Sequence, residues 1–342
     1  MRVLGIESSC DETAAAVVVD GVHVESSIVS SQIELHIPYG GVVPEIAGRA
    51  HIQRINPVVR ECLAAAGLAT DGSGIDAVAC TVGPGLIGAL LVGVSHAKAL
   101  AWSWGVPFLP VNHLEAHLYS PFLEGVTLEF PLVTLLVSGG HTVLLLLTSA
   151  TDYQVLGGTI DDAAGEAYDK VARFLDLGYP GGPAIDRLAP SGDSSVVAFP
   201  RGMRGEGFDF SFSGLKTSVV NYVRTHPDVS TADVAACFQD AVVDILVEKT
   251  IRAAQVHSAT GVCVGGGVAA NSALRSRLDA AARARGLTCF LPSRSMCTDN
   301  AAMVAAAAWW RRDVVAPASL DIGANPALRL HTYGIQKGRI KR

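Results

Sequence analysis

His113-Leu114-Glu115-Ala116-His117 sets two imidazoles four residues apart, just after the apolar run Val106 to Val111. On a helix, side chains at that spacing leave the same face one turn apart, close enough for both rings to hold one metal ion. Two ligands rarely close a site, and the best third is Asp299, in Cys297-Thr298-Asp299-Asn300 at the start of another helix. Two histidines and a carboxylate leave coordination positions open for a substrate. The same residues admit a plainer reading, with surface or core imidazoles and Asp299 as the N-cap before Ala301 to Trp310. The spacing weakens a metalloprotease reading. A zincin motif puts glutamate directly after the first histidine, as base on the metal-bound water. Here Leu114 holds that position, and Glu115 points roughly 100 degrees further round the helix.

Other stretches have the composition of nucleotide sites. Glu7 to Glu12 is a polar turn dense in hydroxyls and carboxylates. It could face phosphates or a cation, with Ser8, Ser9 and backbone amides donating and Glu7, Asp11 and Glu12 accepting. The strand Ile75 to Val82 runs into Gly83-Pro84-Gly85 and then a helix, an arrangement suited to anions. Ser138-Gly139-Gly140-His141 and Gly265-Gly266-Gly267 are further glycine turns. Asp161 and Asp162, in a first helical turn, serve the helix dipole. Asp169 and Asp186, near the turn Tyr179-Pro180-Gly181-Gly182-Pro183, are carboxylates suited to ribose hydroxyls.

The elements that must position these residues follow from periodicity. Arg2 to Ile6, Thr13 to Val19 and Val22 to Ser30 read as a strand meander. A Gly/Pro-punctuated loop from His36 to Glu45 follows, then a helix Ile46 to Ala66 with a break or kink expected at Pro57. The long apolar helix Leu86 to Trp104 and the strand Pro107 to Val111 deliver the histidine pair. The second half repeats the pattern. Leu132 to Val137, Thr142 to Thr148 and Tyr153 to Gly157 form another meander, and Gly261 to Val264 leads through glycines to a helix beginning near Asn271. The helix Thr231 to Ser258 is most simply structural. A duplicated meander with alternating helices and strands predicts two α/β domains facing a shared cleft.

At 342 residues the chain is long enough for two domains. Its net charge of −6 argues against non-specific adhesion to nucleic acid. Local basic candidates are Arg201 with Arg204, Arg283 with Arg285, and the terminal Lys337, Arg339, Lys341 and Arg342. Seven scattered cysteines without a Cys-x-x-Cys pair suggest neither a disulfide framework nor a thiolate zinc site, and a reducing cytoplasm fits. The acidic residues soon after the first strand do not suit a signal peptide. No apolar run approaches a membrane span, so no membrane association is expected.

Taken together, the chain resembles the TsaD family, the tRNA N6-adenosine threonylcarbamoyltransferases, once described as endopeptidases and related to the catalytic subunit of the KEOPS complex. The resemblance rests on Gly5 to Thr13, Tyr39 to Glu45, Gly83 to Leu86, the histidine pair, Leu136 to Thr142, Asp161 to Lys170, Ser211 to Thr217, Gly265 to Asn271 and Thr298 to Asn300. Ala116 departs from the family's usual glycine, and Ala269-Ala270 from its commoner serine-alanine; neither change disturbs the pattern.

The resemblance implies a two-domain actin, sugar-kinase and heat-shock-chaperone (ASKHA) fold built from duplicated ribonuclease-H-like domains. The first domain is expected over 1–131, completed by 310–342, and the second over 132–309. It implies that His113, His117 and Asp299 bind one divalent metal, iron or zinc. It also implies that Leu136, Val137, Ser138, Gly139, Gly140, Asp169, Gly182, Asp186 and Asn271 hold threonylcarbamoyl-AMP. The acceptor would be the N6 amine of the adenosine just 3′ of the anticodon, in tRNAs reading codons that begin with A. TsaB-like and TsaE-like proteins are the implied partners, partly because an acidic chain needs help to grip tRNA. Asp11 or Glu12 is the expected base for the amine proton. An actin-fold ATPase or kinase shares the glycine turns but has no need of the histidine pair. A metalloendopeptidase uses the histidines but leaves the nucleotide turns idle, and a non-catalytic scaffold uses neither.

Overall fold

Strand β1 (Arg2–Glu7) is buried from Val3 to its end because it lies in the middle of a sheet. On one side β2 (Glu12–Val19) pairs with it antiparallel, from Arg2 opposite Val19 to Glu7 opposite Ala14. Strand β3 (His23–Ser31) adds to β2, again antiparallel. On the other side β4 (Ala77–Gly83) and β5 (Phe108–Asn112) run parallel to β1, giving the order β3-β2-β1-β4-β5. The second sheet holds β6 (Leu132–Val137), β7 (Thr142–Leu147), β8 (Tyr153–Gly158), β9 (Gly261–Gly265) and β10 (Thr288–Phe290). Its order, β10-β9-β6-β7-β8, is the first sheet's order read from the opposite edge, with the same antiparallel and parallel pairings. The duplication expected from the pattern is therefore a duplication of topology.

The computed structural model describes residues 1–315 and 317–330. The basic residues Lys337, Arg339, Lys341 and Arg342, and the last part of the segment expected to complete the first domain, lie outside the described residues. Helices of the first half are α1 (Ile33–His36), α2 (Pro44–Ala65), α3 (Ile87–Trp104) and α4 (His113–Ala116). Those that follow are α5 (Ala164–Phe174), α6 (Gly181–Leu188), α7 (Ser213–Thr225), α8 (Thr231–Val256), α9 (Ser272–Arg283), α10 (Arg294–Cys297) and α11 (Ala301–Trp310). No helix among the described residues is long and apolar enough to cross a membrane. All seven cysteines are free thiols.

Two local expectations change. Helix α2 starts at Pro44, which needs no backbone donor in a first turn, and runs on without interruption through Pro57. The stretch read as loop from His36 holds a 3-10 turn, Ile37–Tyr39, stopped by Gly40 at φ +64°. Helix α11, apart from Trp310, lies within the range assigned to the second domain, yet it packs against β1, β2 and β4 of the first sheet. Its residues Ala301 to Ala308 are all buried there. Contact with β1 is close at Gly5, where a Cβ would stand 2.3 Å from the Ala301 carbonyl oxygen.

Because β1, β4 and β5 are parallel, their carboxyl ends emerge along one edge, at Glu7, Gly83 and Asn112. In the second sheet β6 and β9 end likewise at Val137 and Gly265. In α/β sheets, ligands bind beyond the carboxyl ends of parallel strands, and here each such end leads into one of the turns singled out above.

Candidate metal centre and cleft

The histidine pair owes its position to the end of β5. Asn112 caps α4, its side-chain oxygen accepting from the amides of Leu114 at 2.9 Å and Glu115 at 3.3 Å. The α-helical turn gives way to a 3-10 stretch at His117, so the pair spans the junction, with ring centroids 4.9 Å apart and nearly perpendicular planes. Asp299 does not cap α11. Asn300 does, its side-chain oxygen accepting from the Met303 amide at 3.0 Å. That leaves the Asp299 carboxylate to face both rings, with Oδ1 3.6 Å from His113 Nε2 and 3.3 Å from His117 Nε2.

One ligand atom from each of His113, His117 and Asp299 lies within 4.8 Å of the others. Both His117 ring nitrogens are buried without an aligned hydrogen-bond partner, although Asp299 is near. A buried imidazole lacking partners is costly, and a cation held between the three groups would satisfy Nε2, the nitrogen that faces Asp299. The donor set, two nitrogens and one carboxylate oxygen, fits a divalent transition metal.

Glu7, read from sequence as the first residue of the polar turn, is instead the last residue of β1 and fully buried. Its carboxylate accepts from the Ser9 amide and Thr81 Oγ1, each at 2.6 Å, and stands 3.2 Å from His113 Nδ1. Burial opposes ionisation, but His113 outweighs it and holds the Glu7 carboxyl below its ordinary value. A charged Glu7 takes the proton-bearing Nδ1 side of His113 and leaves Nε2 towards Asp299, as in carboxylate–histidine–metal arrangements. Burial likewise works against charge on His113, yet Asp299 and then Glu7 raise it to about 9. Asp299 is held down at about 2, because His113 and His117 overcome its desolvation.

A cleft of about 700 Å³ opens beside this group, lined by His113 and Asp299, by Asp11 and Glu12 of the first turn, and by Ser138, Gly139 and Gly140. An adjoining cavity of about 440 Å³ shares Asp11, Gly139 and Asp169 with it and adds Gly182, Asp186 and Asn271. The β6 turn is seated by Gly165, whose Cβ, if present, would lie 2.5 Å from the Ser138 carbonyl oxygen. Leu136 and Val137 are buried inside β6 and line neither cavity.

Several of these polar groups already hold the walls. Asp169 accepts from the Gly181 amide at 2.8 Å. Asp186 accepts from Ser272 Oγ at 2.7 Å, and Asn271 caps α9 through the Leu274 amide at 2.9 Å. Glu12 is pushed up to about 10, by burial first and then by Asp299 and Asp11. His141 was noted in sequence only as part of its turn. It lines the cleft as a neutral ring, brought down to about 4 by burial and then by His113 and His117. Glu115 faces away from the histidines, paired with Arg311 and accepting from the Tyr153 hydroxyl.

A family model described as TsaD, tRNA N6-adenosine threonylcarbamoyltransferase, matches residues 23–306. A Moorella thermoacetica protein of that description is 52% identical over 338 residues, covering 96% of this chain and 97% of its own. One from Symbiobacterium thermophilum is 54% identical over 337 residues, covering 97% and 98%. Among solved structures, T. kodakarensis HypF superposes with a TM-score of 0.64 at 16% identity, covering 92% of this chain and 48% of that one. Component A of the Acidaminococcus fermentans (R)-2-hydroxyglutaryl-CoA dehydratase gives 0.56 at 14%, covering 90% and 98%. These two likenesses establish the fold alone, the two-domain actin-type architecture of duplicated ribonuclease-H-like halves.

Proposed function

The chain belongs to the TsaD family of tRNA N6-adenosine threonylcarbamoyltransferases, and on that footing we propose that His113, His117 and Asp299 hold iron or zinc and that the adjoining cleft binds threonylcarbamoyl-AMP. The reaction is transfer of a threonylcarbamoyl group to the N6 amine of a tRNA adenosine. The observation that supports the site assignment is the cluster of three ligands, two of which, His113 and Asp299, line a cleft of about 700 Å³.

The amine is a weak nucleophile, its lone pair delocalised into the purine, so the acyl carbon must be activated and the amine proton removed. N6 attacks the carbamoyl carbon, the bond from that carbon to the phosphate oxygen breaks, AMP departs and the N6 proton passes to a carboxylate. A cation held by His113, His117 and Asp299 would supply Lewis-acid polarisation of the carbonyl or charge neutralisation for the departing phosphate. Asp11 or Glu12, both on the wall of the cleft, takes the proton in this reading. Gly139 and Gly140 of the turn after β6 line the cleft, and their amides would donate to the substrate's oxygens. Asp169, Gly182, Asp186 and Asn271 shape the nucleoside end of the cleft. The acceptor base comes from a loop and can be turned out without opening a duplex. TsaB-like and TsaE-like proteins complete the working assembly.

Nucleoside mass spectrometry tests this reading, on unmodified tRNA incubated with the chain, those partners and threonylcarbamoyl-AMP. The wild type should form threonylcarbamoyladenosine. Asp299→Ala and His117→Ala, or stripping with a chelator, should slow it by about 100-fold or more. No product from the wild type, or wild-type rates from both variants, would sink the assignment.

A further inference from the structure

We propose that the buried Glu115–Arg311 ion pair is a positioning device for the metal centre, setting the roll of α4 so that both histidines face Asp299. The inference rests on the metal-holding reading of those three residues. Glu115 lies about 200° round the helix from His113, so it occupies the face opposite the ligands. There it is buried, 6% exposed, against Arg311, 4% exposed.

Arg311 closes the ten-residue helix α11, and Asp299 stands just before that helix begins. The two are thus separated by a rod about 15 Å long. At its front α11 presents a carboxylate to the imidazoles, and at its back a guanidinium to the carboxylate between them in sequence. The rod cannot adjust easily, since Ala301 to Ala308 are buried and Gly5 lies against its backbone. Tyr153, in β8 of the second sheet, donates its hydroxyl to Glu115 and so ties the same point to the other half. A buried ion pair adds little net stability over apolar side chains of like volume. Orientation is the service this pair performs that leucine and methionine would not.

The test uses the full chain and cobalt(II), whose visible absorption reports ligand geometry and whose titration gives affinity. The double variant E115L/R311M removes both charges together and leaves neither unpaired. Its Tm should stay near that of the wild type while its cobalt affinity falls about tenfold or more and its absorption bands change. Wild-type affinity and bands in the folded double variant would overturn the proposal. Should that variant fail to fold, Glu115→Asp carries the test, because it keeps both charges and shortens the arm that sets the roll of α4. A fall of roughly threefold in cobalt affinity supports the proposal, and no change overturns it. Wild-type protein that takes up no cobalt overturns it too, together with the metal reading. Wild-type protein that binds cobalt but makes no modified nucleoside overturns the proposed function alone.

Discussion

Glu7 acts on the centre through His113 without reaching the cleft itself, and its charge is the part that counts. Glu7→Gln retains the shape and a partner for Thr81 but loses the anion facing His113 Nδ1. Cobalt or zinc affinity should fall by about 10–100-fold, with little change in fold, as read by titration calorimetry and circular dichroism. The same residues predict a pH dependence. In the metal-free protein His113 sits at about 9, against 6.5 when unperturbed. Glu12 sits at about 10 against 4.5. Each group is raised by folding, so each contributes stability that is complete below its unperturbed value and is lost as pH climbs through the raised one. Urea midpoints of chelated protein should therefore decline between pH 6.5 and 9. Metal affinity should move the other way over that window, since the ion must displace the His113 proton. A metal-free protein whose midpoint rises across the window would show that these charges are misplaced. Asp299 adds an acid limb of opposite sign, its contribution disappearing as pH falls from 3.8 towards 2.

Helix α11 shows at the scale of an element what sequence could and could not convey. Gly5→Ala would place a methyl 2.3 Å from the Ala301 carbonyl and 2.9 Å from the Ala305 amide, so the helix must lift from β1. Overpacking of that kind costs about 1–3 kcal/mol. Because Asp299 precedes the helix, metal affinity should drop along with Tm. Gly88→Ala, with nothing within 4 Å of its Cβ position, is the control and should leave both unchanged or raise Tm slightly. If Gly5→Ala lowered Tm without touching metal affinity, α11 would not be what places the carboxylate. The strands and glycine turns were legible because apolar runs bounded by Gly and Pro have few alternatives, and the histidine spacing announced a shared face. The side on which α11 packs was not. A helix of alanines, apolar all round, has no polar face to say which sheet it covers. The burial of Glu7 was not legible for a related reason: only the fold brings Thr81 of β4 beside its carboxylate. The cap was a choice between neighbours, and Asn300 took it.

For the whole molecule the decisive quantity is charge, since a chain of net charge −6 must engage a polyanion. Among the described residues, three of the basic candidates seen in sequence are already matched by carboxylates. Arg201 is paired with Asp240 and Asp244, Arg204 with Glu248, and Arg283 with Asp279. The cleft adds the carboxyls of Asp11, Glu12, Asp169 and Asp299 where the anticodon loop would approach. Lys170, on the same wall, is matched by Asp162 and Glu166. Arg173 reaches across the cleft to the Gly40 carbonyl, a neutral partner that a phosphate could displace. The chain alone should therefore hold tRNA no better than a non-specific binder, with Kd about 10⁻⁶ to 10⁻⁴ M and a shallow salt dependence. If the proposed TsaB-like and TsaE-like partners supply cations, adding them should tighten binding and steepen that dependence by releasing further counterions. Fluorescence anisotropy of a labelled anticodon stem-loop, with and without partners, over roughly 50–200 mM salt measures both. Nanomolar binding by the chain alone with a steep slope would contradict this account, because the paired arginines described above could not supply it.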